Sequence, residues 1–282
     1  MSIRLDGKET ARLVREKIKA DVAAFSEKYK SVPTLAVIIV GSDPASEVYV
    51  RNKHKAAMEV GMKSEIIALP QDVSERDLLC EIQKLNEDKR ISGILVQLPL
   101  PAHLDEQKVI LSIAKEKDVD AFHPANVGRI MLGNPCFLPC TPAGVMELLH
   151  HYNIGIDGKH CVIVGRSNIV GKPQAMLMLR ENATVTICHS HTQNLAAITK
   201  TADILIVAIG KPHAIGAEMV KPGAVVVDVG INRVDGKLCG DVDFDSVEKI
   251  AGYITPVPGG VGPMTIAMLL KNTLTAAALA QN

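Results

Sequence analysis

The sequence predicts an α/β fold built as two domains. Apolar, β-branched runs alternate with helical patterns from end to end, which is the signature of parallel sheets made of βα units. At 282 residues, the chain has room for about two domains on a prior of ~150 residues each. The run Val162-Ile-Val-Gly165-Arg-Ser-Asn-Ile-Val170 passes from a strand through a glycine turn into a helix, marking the second domain as Rossmann-like. The expected division is residues 1–140 plus 257–282 against residues 141–256, with the C-terminal helix returning to the first domain.

An opening helix is expected at 9–29 and a first strand at 34–40. Asp43-Pro44 then supplies an N-cap and a first helical residue for a helix at 44–60. Strands at 65–69 and 91–98 alternate with helices at 74–88 and 105–116. Residues 117–142 are rich in Pro, Gly and Asn and read as a loop-bearing connection, followed by a helix at 142–153. The second domain reads as strands at 160–165, 183–188, 203–209 and 224–229, with a helix at 170–179 after the glycine turn. Residues 255–265 hold three prolines and three glycines, a rigid backbone of close approach, and an apolar helix follows to about residue 280.

Thirty-one basic residues balance thirty-one acidic ones, so no electrostatic case exists for nucleic acid or an anionic membrane. No apolar run approaches the ~20 residues of a membrane span, and the N-terminus lacks the apolar core of a signal peptide. Six cysteines are scattered without a C-x-x-C pair. Cys161 and Cys188 fall in apolar strands as small hydrophobes, and Cys136 with Cys140 makes a poor metal pair. The expectation is a reduced, cytoplasmic protein without a metal.

The turn after the strand at 160–165 aims backbone N–H groups and a helix dipole at one point, which suits a phosphate. It departs from G-x-G-x-x-G, with Ser167 at the second glycine position and Val170 at the third. A P-loop is excluded by Arg166 and Pro173. The next strand ends in His189-Ser190-His191-Thr192, without the carboxylate that would hold a ribose 2′-hydroxyl. Arg166 and Ser190 can instead hold a 2′-phosphate, which favours NADP over NAD. The alternative is a solvated Arg166, with Ser190 capping the helix after Thr192. The loops at 210–212 and 228–232 also sit at strand carboxyl ends, where open α/β sheets bind ligands.

In the first domain, Tyr49 and Lys53 lie four apart on the helical face that carries Ala56, Ala57 and Val60. A lysine held partly out of water favours its neutral amine, which fits it for proton transfer. Spacing alone favours the other reading, a snorkelling lysine whose ammonium reaches water. Gln97 ends the apolar run 93–96, where its amide can orient a lysine or a ligand, or simply cap the strand. Asp118 and Asp120 form a carboxylate pair in a loop with no third metal ligand evident.

Six motifs in order along the chain resemble one family, the bifunctional methylenetetrahydrofolate dehydrogenase/methenyltetrahydrofolate cyclohydrolases. They are Tyr49-Val-Arg-Asn-Lys53-His-Lys-Ala, Val96-Gln-Leu-Pro-Leu-Pro101, Lys117-Asp-Val-Asp120, Pro139-Cys-Thr-Pro142, Gly165-Arg-Ser-Asn-Ile-Val-Gly-Lys-Pro173 and Pro256-Val-Pro-Gly-Gly-Val-Gly-Pro-Met-Thr265. The resemblance implies a folate-binding catalytic first domain and an NADP-binding second domain. Lys53 is then the catalytic lysine, Tyr49 its folate-stacking partner, Gln97 its hydrogen-bonding partner and Asp120 the pterin-binding carboxylate. Leu98, Pro99, Pro258, Gly259 and Gly260 fall on substrate-binding positions. Gly165, Arg166, Ser167, Ser190, Ile231, Gly262 and Thr265 fall on cofactor-binding positions. A homodimer and a place in one-carbon metabolism and purine biosynthesis are implied too.

Two departures stand out. Ala121 replaces the family's glycine after Asp120, which is expected to shift that turn slightly. His191 replaces an arginine or lysine, which is expected to weaken 2′-phosphate binding and make it depend on pH. The rival readings are an NADP dehydrogenase of the shikimate or amino-acid type, and a catalytically silent folate- or nucleotide-binding protein.

Overall fold

A computed structural model describes residues 2–281. The strands are β1 (Ile3–Arg4), β2 (Thr34–Val40), β3 (Lys63–Leu69), β4 (Gly93–Val96), β5 (His160–Val164), β6 (Thr184–Cys188), β7 (Ile204–Val207), β8 (Val225–Asp228), β9 (Asn232–Val234), β10 (Lys237–Cys239) and β11 (Tyr253–Ile254). The helices are α1 (Gly7–Tyr29), α2 (Pro44–Glu59), α3 (Glu75–Glu87), α4 (Glu106–Ser112), α5 (Pro124–Met131), α6 (Cys140–His151), α7 (Gly171–Arg180), α8 (Leu195–Thr199), α9 (Phe244–Val247) and α10 (Val261–Leu279). They fall into two compact units, residues 13–140 with 266–281 and residues 2–12 with 141–265.

The unit of residues 13–140 is built on a parallel three-stranded sheet in the order β3-β2-β4. All seven residues of β2 are buried, as a central strand covered on both faces requires. One core cluster gathers Ile38, Ile94 and Val96 of the sheet with Leu78, Ile82 and Leu85 of α3 and Val109 of α4. Another joins Ile18 and Val22 of α1, Ala56, Ala57 and Val60 of α2, and Leu270 of α10. The C-terminal helix thus packs into this first unit from residue 266 onward. Each fully buried Leu, Ile or Val contributes ~1.5–3 kcal/mol of transfer free energy.

The other unit is a doubly wound parallel sheet in the order β1-β11-β8-β7-β5-β6. Its core runs through Val162, Val164, Leu205, Val207, Val226 and Ile254. From β5 the chain moves outward to β6, then returns to β7 on the other side, so the strand order reverses at β5. That reversal opens a crevice at the strand carboxyl ends.

The observed ends of these units differ from the expected division. Residues 2–12 and 257–265 group with residues 141–256, because β1 pairs with β11 and β11 with β8. Two-residue strands carry no periodicity, so β1 and β11 leave no trace in the sequence. The expected 117–142 loop contains a helix, α5, whose N-cap is His123: its Nδ1 accepts the Ala125 N–H at 3.1 Å. Histidine is outside the usual capping set, and the start went unread. The helix expected at 105–116 ends at Ser112, where the Asn86 side chain takes over the backbone groups. Its Nδ2 donates to the Ser112 carbonyl at 2.7 Å and its Oδ1 accepts the Ala114 N–H at 2.9 Å. The strand expected at 91–98 pairs only over Gly93–Val96. Ser190 caps no helix: the N-cap of α8 is Asn194 in a left-handed conformation.

Candidate active site

In the unit of residues 13–140, α2 carries the lysine. Asp43 begins this helix, its carboxylate accepting the Ser46 N–H at 2.8 Å, with Pro44 at the first turn. Burial of Ala56, Ala57 and Val60 then fixes the rotation of α2, which leaves Lys53 only 8% exposed. Its ammonium does not snorkel to water. Nζ donates to Gln97 Oε1 at 3.0 Å, and Gln97 Nε2 donates in turn to the Leu98 carbonyl at 2.7 Å. Gln97 follows β4, with its own N–H tied to the Ile38 carbonyl of β2 at 2.8 Å. Both ends of the glutamine side chain are therefore committed, and its oxygen has one direction to point. Tyr49 lies one turn before Lys53 and is half-buried, which pushes its phenol above the ordinary value and keeps it a neutral hydroxyl.

Asp120 joins this group. Burial raises its carboxyl, Lys53 pulls it back down and the neighbouring Asp118 adds to the rise. Lys53 and Gln97 are thus joined directly, Asp120 lies within reach of the Lys53 charge, and Leu98 and Pro99 follow directly on Gln97. The Asp118 side chain is different in kind. It accepts the N–H groups of Phe122 (3.3 Å) and His123 (2.9 Å) and the Asn126 amide (2.8 Å), so it shapes the loop rather than facing a ligand. Ala121 takes a left-handed backbone, φ +59°, in the turn after Asp120. Asn272 of α10, unread in the sequence, donates to the carbonyls of Val119 and Leu138, both at 2.8 Å. A lone amide in an apolar helix gives no sign of such a staple.

The other unit holds the glycine turn. Gly165 has φ +133°, and a Cβ there would fall on the Ala208 carbonyl oxygen; a Cβ at Gly171 would fall on the Gly165 carbonyl oxygen. The turn is held this tightly so that α7 starts directly behind it. Ser167 closes the start of α7, its Oγ accepting the N–H groups of Val170 (3.1 Å) and Gly171 (3.2 Å). Arg166 and Ser190 are exposed. His189 and His191 stack edge to face with centroids 6.0 Å apart. Partial burial lowers the His189 imidazole, and Arg166 and His191 lower it further. A tight glycine turn at a helix start, beside an arginine and two histidines, fits the phosphates of a dinucleotide.

Ile231 is exposed in the loop after β8, with Gly262 against its side chain. Thr265 Oγ1 lies 3.0 Å from Thr141 Oγ1. Pro258 is exposed, Gly259 has φ +112°, and the Gly260 N–H donates to the Pro256 carbonyl at 2.8 Å. Pro258, Gly259 and Gly260 therefore belong to the same compact unit as the glycine turn. Among the described residues, no group of three or more His, Cys, Asp or Glu side chains is arranged to hold a metal ion. No helix there is long and apolar enough to cross a membrane.

A doubly wound nucleotide-binding unit, together with a unit that buries a lysine against a glutamine, defines a dinucleotide-linked α/β enzyme. Residues 5–120 match the catalytic domain of tetrahydrofolate dehydrogenase/cyclohydrolase, and residues 139–281 match the NAD(P)-binding domain of the same enzyme. The chain belongs to the tetrahydrofolate dehydrogenase/cyclohydrolase family, and is both an oxidoreductase and a hydrolase. It is 58% identical to the bifunctional protein FolD of Exiguobacterium sibiricum over 98% of this chain and all of that one. The bifunctional FolD structure from Campylobacter jejuni superposes with a TM-score of 0.96 at 49% identity, covering 99% of each chain. That from Trypanosoma brucei, complexed with NADP and an inhibitor, superposes with a TM-score of 0.96 at 41% identity, over 100% of this chain and 99% of that one. A shikimate dehydrogenase from Aquifex aeolicus reaches a TM-score of 0.54 at 11% identity, a likeness of fold alone.

Proposed function

We propose that Lys53, Gln97, Tyr49 and Asp120 carry the folate chemistry and that the dinucleotide is NADP. The observation that carries this reading is the Lys53–Gln97 hydrogen bond of a nearly buried lysine. Asp120 binds the amino and ring N–H donors of the pterin, for which a carboxylate is the matching acceptor. Tyr49 stacks on the folate one helical turn from the lysine, and Leu98, Pro99 and Pro258 to Gly260 shape the rest of the substrate surface.

In the dehydrogenase step, 5,10-methylenetetrahydrofolate loses a hydride from its one-carbon bridge and becomes the methenyl cation. NADP, when bound, supplies the hydride acceptor. The two nitrogens flanking the bridge stabilise the cation, so the protein's task is alignment. In the cyclohydrolase step, water attacks the methenyl carbon, loses a proton, and the departing nitrogen gains one as 10-formyltetrahydrofolate forms. Lys53 moves that proton, with Gln97 Oε1 fixing where its Nζ stands.

On the cofactor side, Gly165, Ser167, Ile231, Gly262 and Thr265 line the dinucleotide surface. Arg166 and Ser190 hold the 2′-phosphate, and His191 adds charge to that site only when protonated. As a family member, the protein acts in the cytoplasm as a homodimer and feeds one-carbon units to purine biosynthesis. The test is the initial rate of methenyl formation with NADP and NAD side by side, with methenyl hydrolysis measured separately without dinucleotide. Faster turnover with NADP is expected. Faster turnover with NAD refutes the 2′-phosphate reading, and no hydrolysis refutes the folate chemistry assigned to Lys53.

A further inference from the structure

Two carboxylates lie buried at the carboxyl ends of β7 and β8, and among the described residues neither has a cationic side chain as a hydrogen-bond partner. Asp241 has no exposed surface. Its Oδ2 accepts the N–H groups of Ile209 (2.7 Å) and Gly210 (2.9 Å); its Oδ1 accepts the Lys211 N–H (2.8 Å) and the Asn232 amide (2.8 Å). Three successive backbone donors after β7 therefore wrap one carboxylate, and the same carboxylate holds the residue that follows Ile231. Asp228, at the end of β8, accepts the N–H groups of Gly230 (3.0 Å), Asp241 (3.0 Å) and Val242 (2.8 Å). Gly230 and Gly240 make room: a Cβ at either would fall on the carboxylate of Asp241 or Asp228 respectively.

Backbone N–H groups at strand carboxyl ends are the usual donors to a bound dinucleotide. Here those of residues 209–211 are turned inward and consumed, so they cannot contact a cofactor themselves. What the carboxylate fixes instead is the path of the two loops. We propose that Asp241 is a positioning residue of the dinucleotide site: through residues 209–211 and Asn232 it sets the surface, including Ile231, on which the cofactor docks. This rests on the family's NAD(P)-binding assignment of the unit. A carboxylate suits the task because four donors need two oxygens that both accept, and an amide offers only one.

The test is Asp241→Asn in the full chain, with Asn232→Ala as the milder variant. NADP and NAD affinities are measured by titration calorimetry, and methenyl hydrolysis without dinucleotide serves as the second readout. Asp241→Asn is expected to weaken dinucleotide binding ~10-fold or more, and Asn232→Ala ~3-fold, while hydrolysis stays within about twofold of wild type. Equal dinucleotide affinity in folded Asp241→Asn overturns the proposal. Should that variant fail to fold, unchanged affinity in Asn232→Ala overturns it instead. Failure of the wild-type protein to bind either dinucleotide refutes the cofactor assignment, a result separate from both.

Discussion

The two units hold their functional residues in contrasting ways. In residues 13–140, Lys53 stands on a regular helix whose rotation core packing sets, and Gln97 directly follows the edge strand β4, its backbone N–H still tied to β2 and its side chain to the Leu98 carbonyl. In residues 141–265, the glycine turn, the histidine loop and the Ile231 loop are irregular backbone, held by Ser167, Thr192 and the buried Asp228–Asp241 pair. A side chain on a packed element inherits its position from apolar burial. One on a loop needs polar groups committed to the backbone beneath it, because buried N–H groups must find acceptors. Proton transfer demands the first kind of precision. Docking a long cofactor tolerates the second.

Lys53→Met should break the first side of this contrast most severely. It keeps the length of the side chain and its packing but removes the proton, and methenyl hydrolysis should fall ~10²–10⁴-fold while the thermal midpoint changes little. Hydrolysis at the wild-type rate refutes the role of Lys53. On the loop side, Arg166→Ala removes a charge-assisted contact worth ~1.5–3 kcal/mol, so the KM for NADP should rise ~10–100-fold and that for NAD far less. Equal changes for the two dinucleotides would take Arg166 out of the 2′-phosphate site.

Two smaller effects sharpen the contrast. Burial raises the Asp228 carboxyl from 3.8 to about 6, with Asp241 adding to the rise and the Val242, Asp241 and Gly230 N–H groups opposing it. Between those values the folded protein binds more protons than the unfolded chain, so stability falls as pH rises through that window. The difference in thermal midpoint between wild type and Asp228→Asn should therefore shrink from pH 4 to pH 6; a constant difference removes this cost of loop-building from Asp228. Finally, Ala121 holds a left-handed backbone that costs a residue with a Cβ ~1–2 kcal/mol. Ala121→Gly should stabilise the protein by about 1 kcal/mol, read as a rise in the denaturant midpoint. A fall would show that the turn gains more from the Ala121 methyl, which is fully buried, than it loses to strain.

By itself, the sequence determined the alternation of βα units, the start of α2 at Asp43-Pro44, the glycine turn at Gly165, and the order of the motifs that place the chain in its family. These signals are local, written as periodicity, caps and short spacings. Only the tertiary structure decided that Lys53 is buried against Gln97 rather than snorkelling, because a helix's rotation depends on what it packs against. It also decided that Asp118 and Asp120 do different work within one turn, and that residues 2–12 join the sheet of β11. Asp241 and Asn272 were likewise silent in the sequence. Each satisfies backbone groups distant along the chain, Asp241 some thirty residues away and Asn272 more than a hundred, and no pattern in one dimension records which buried N–H or carbonyl a polar side chain will meet.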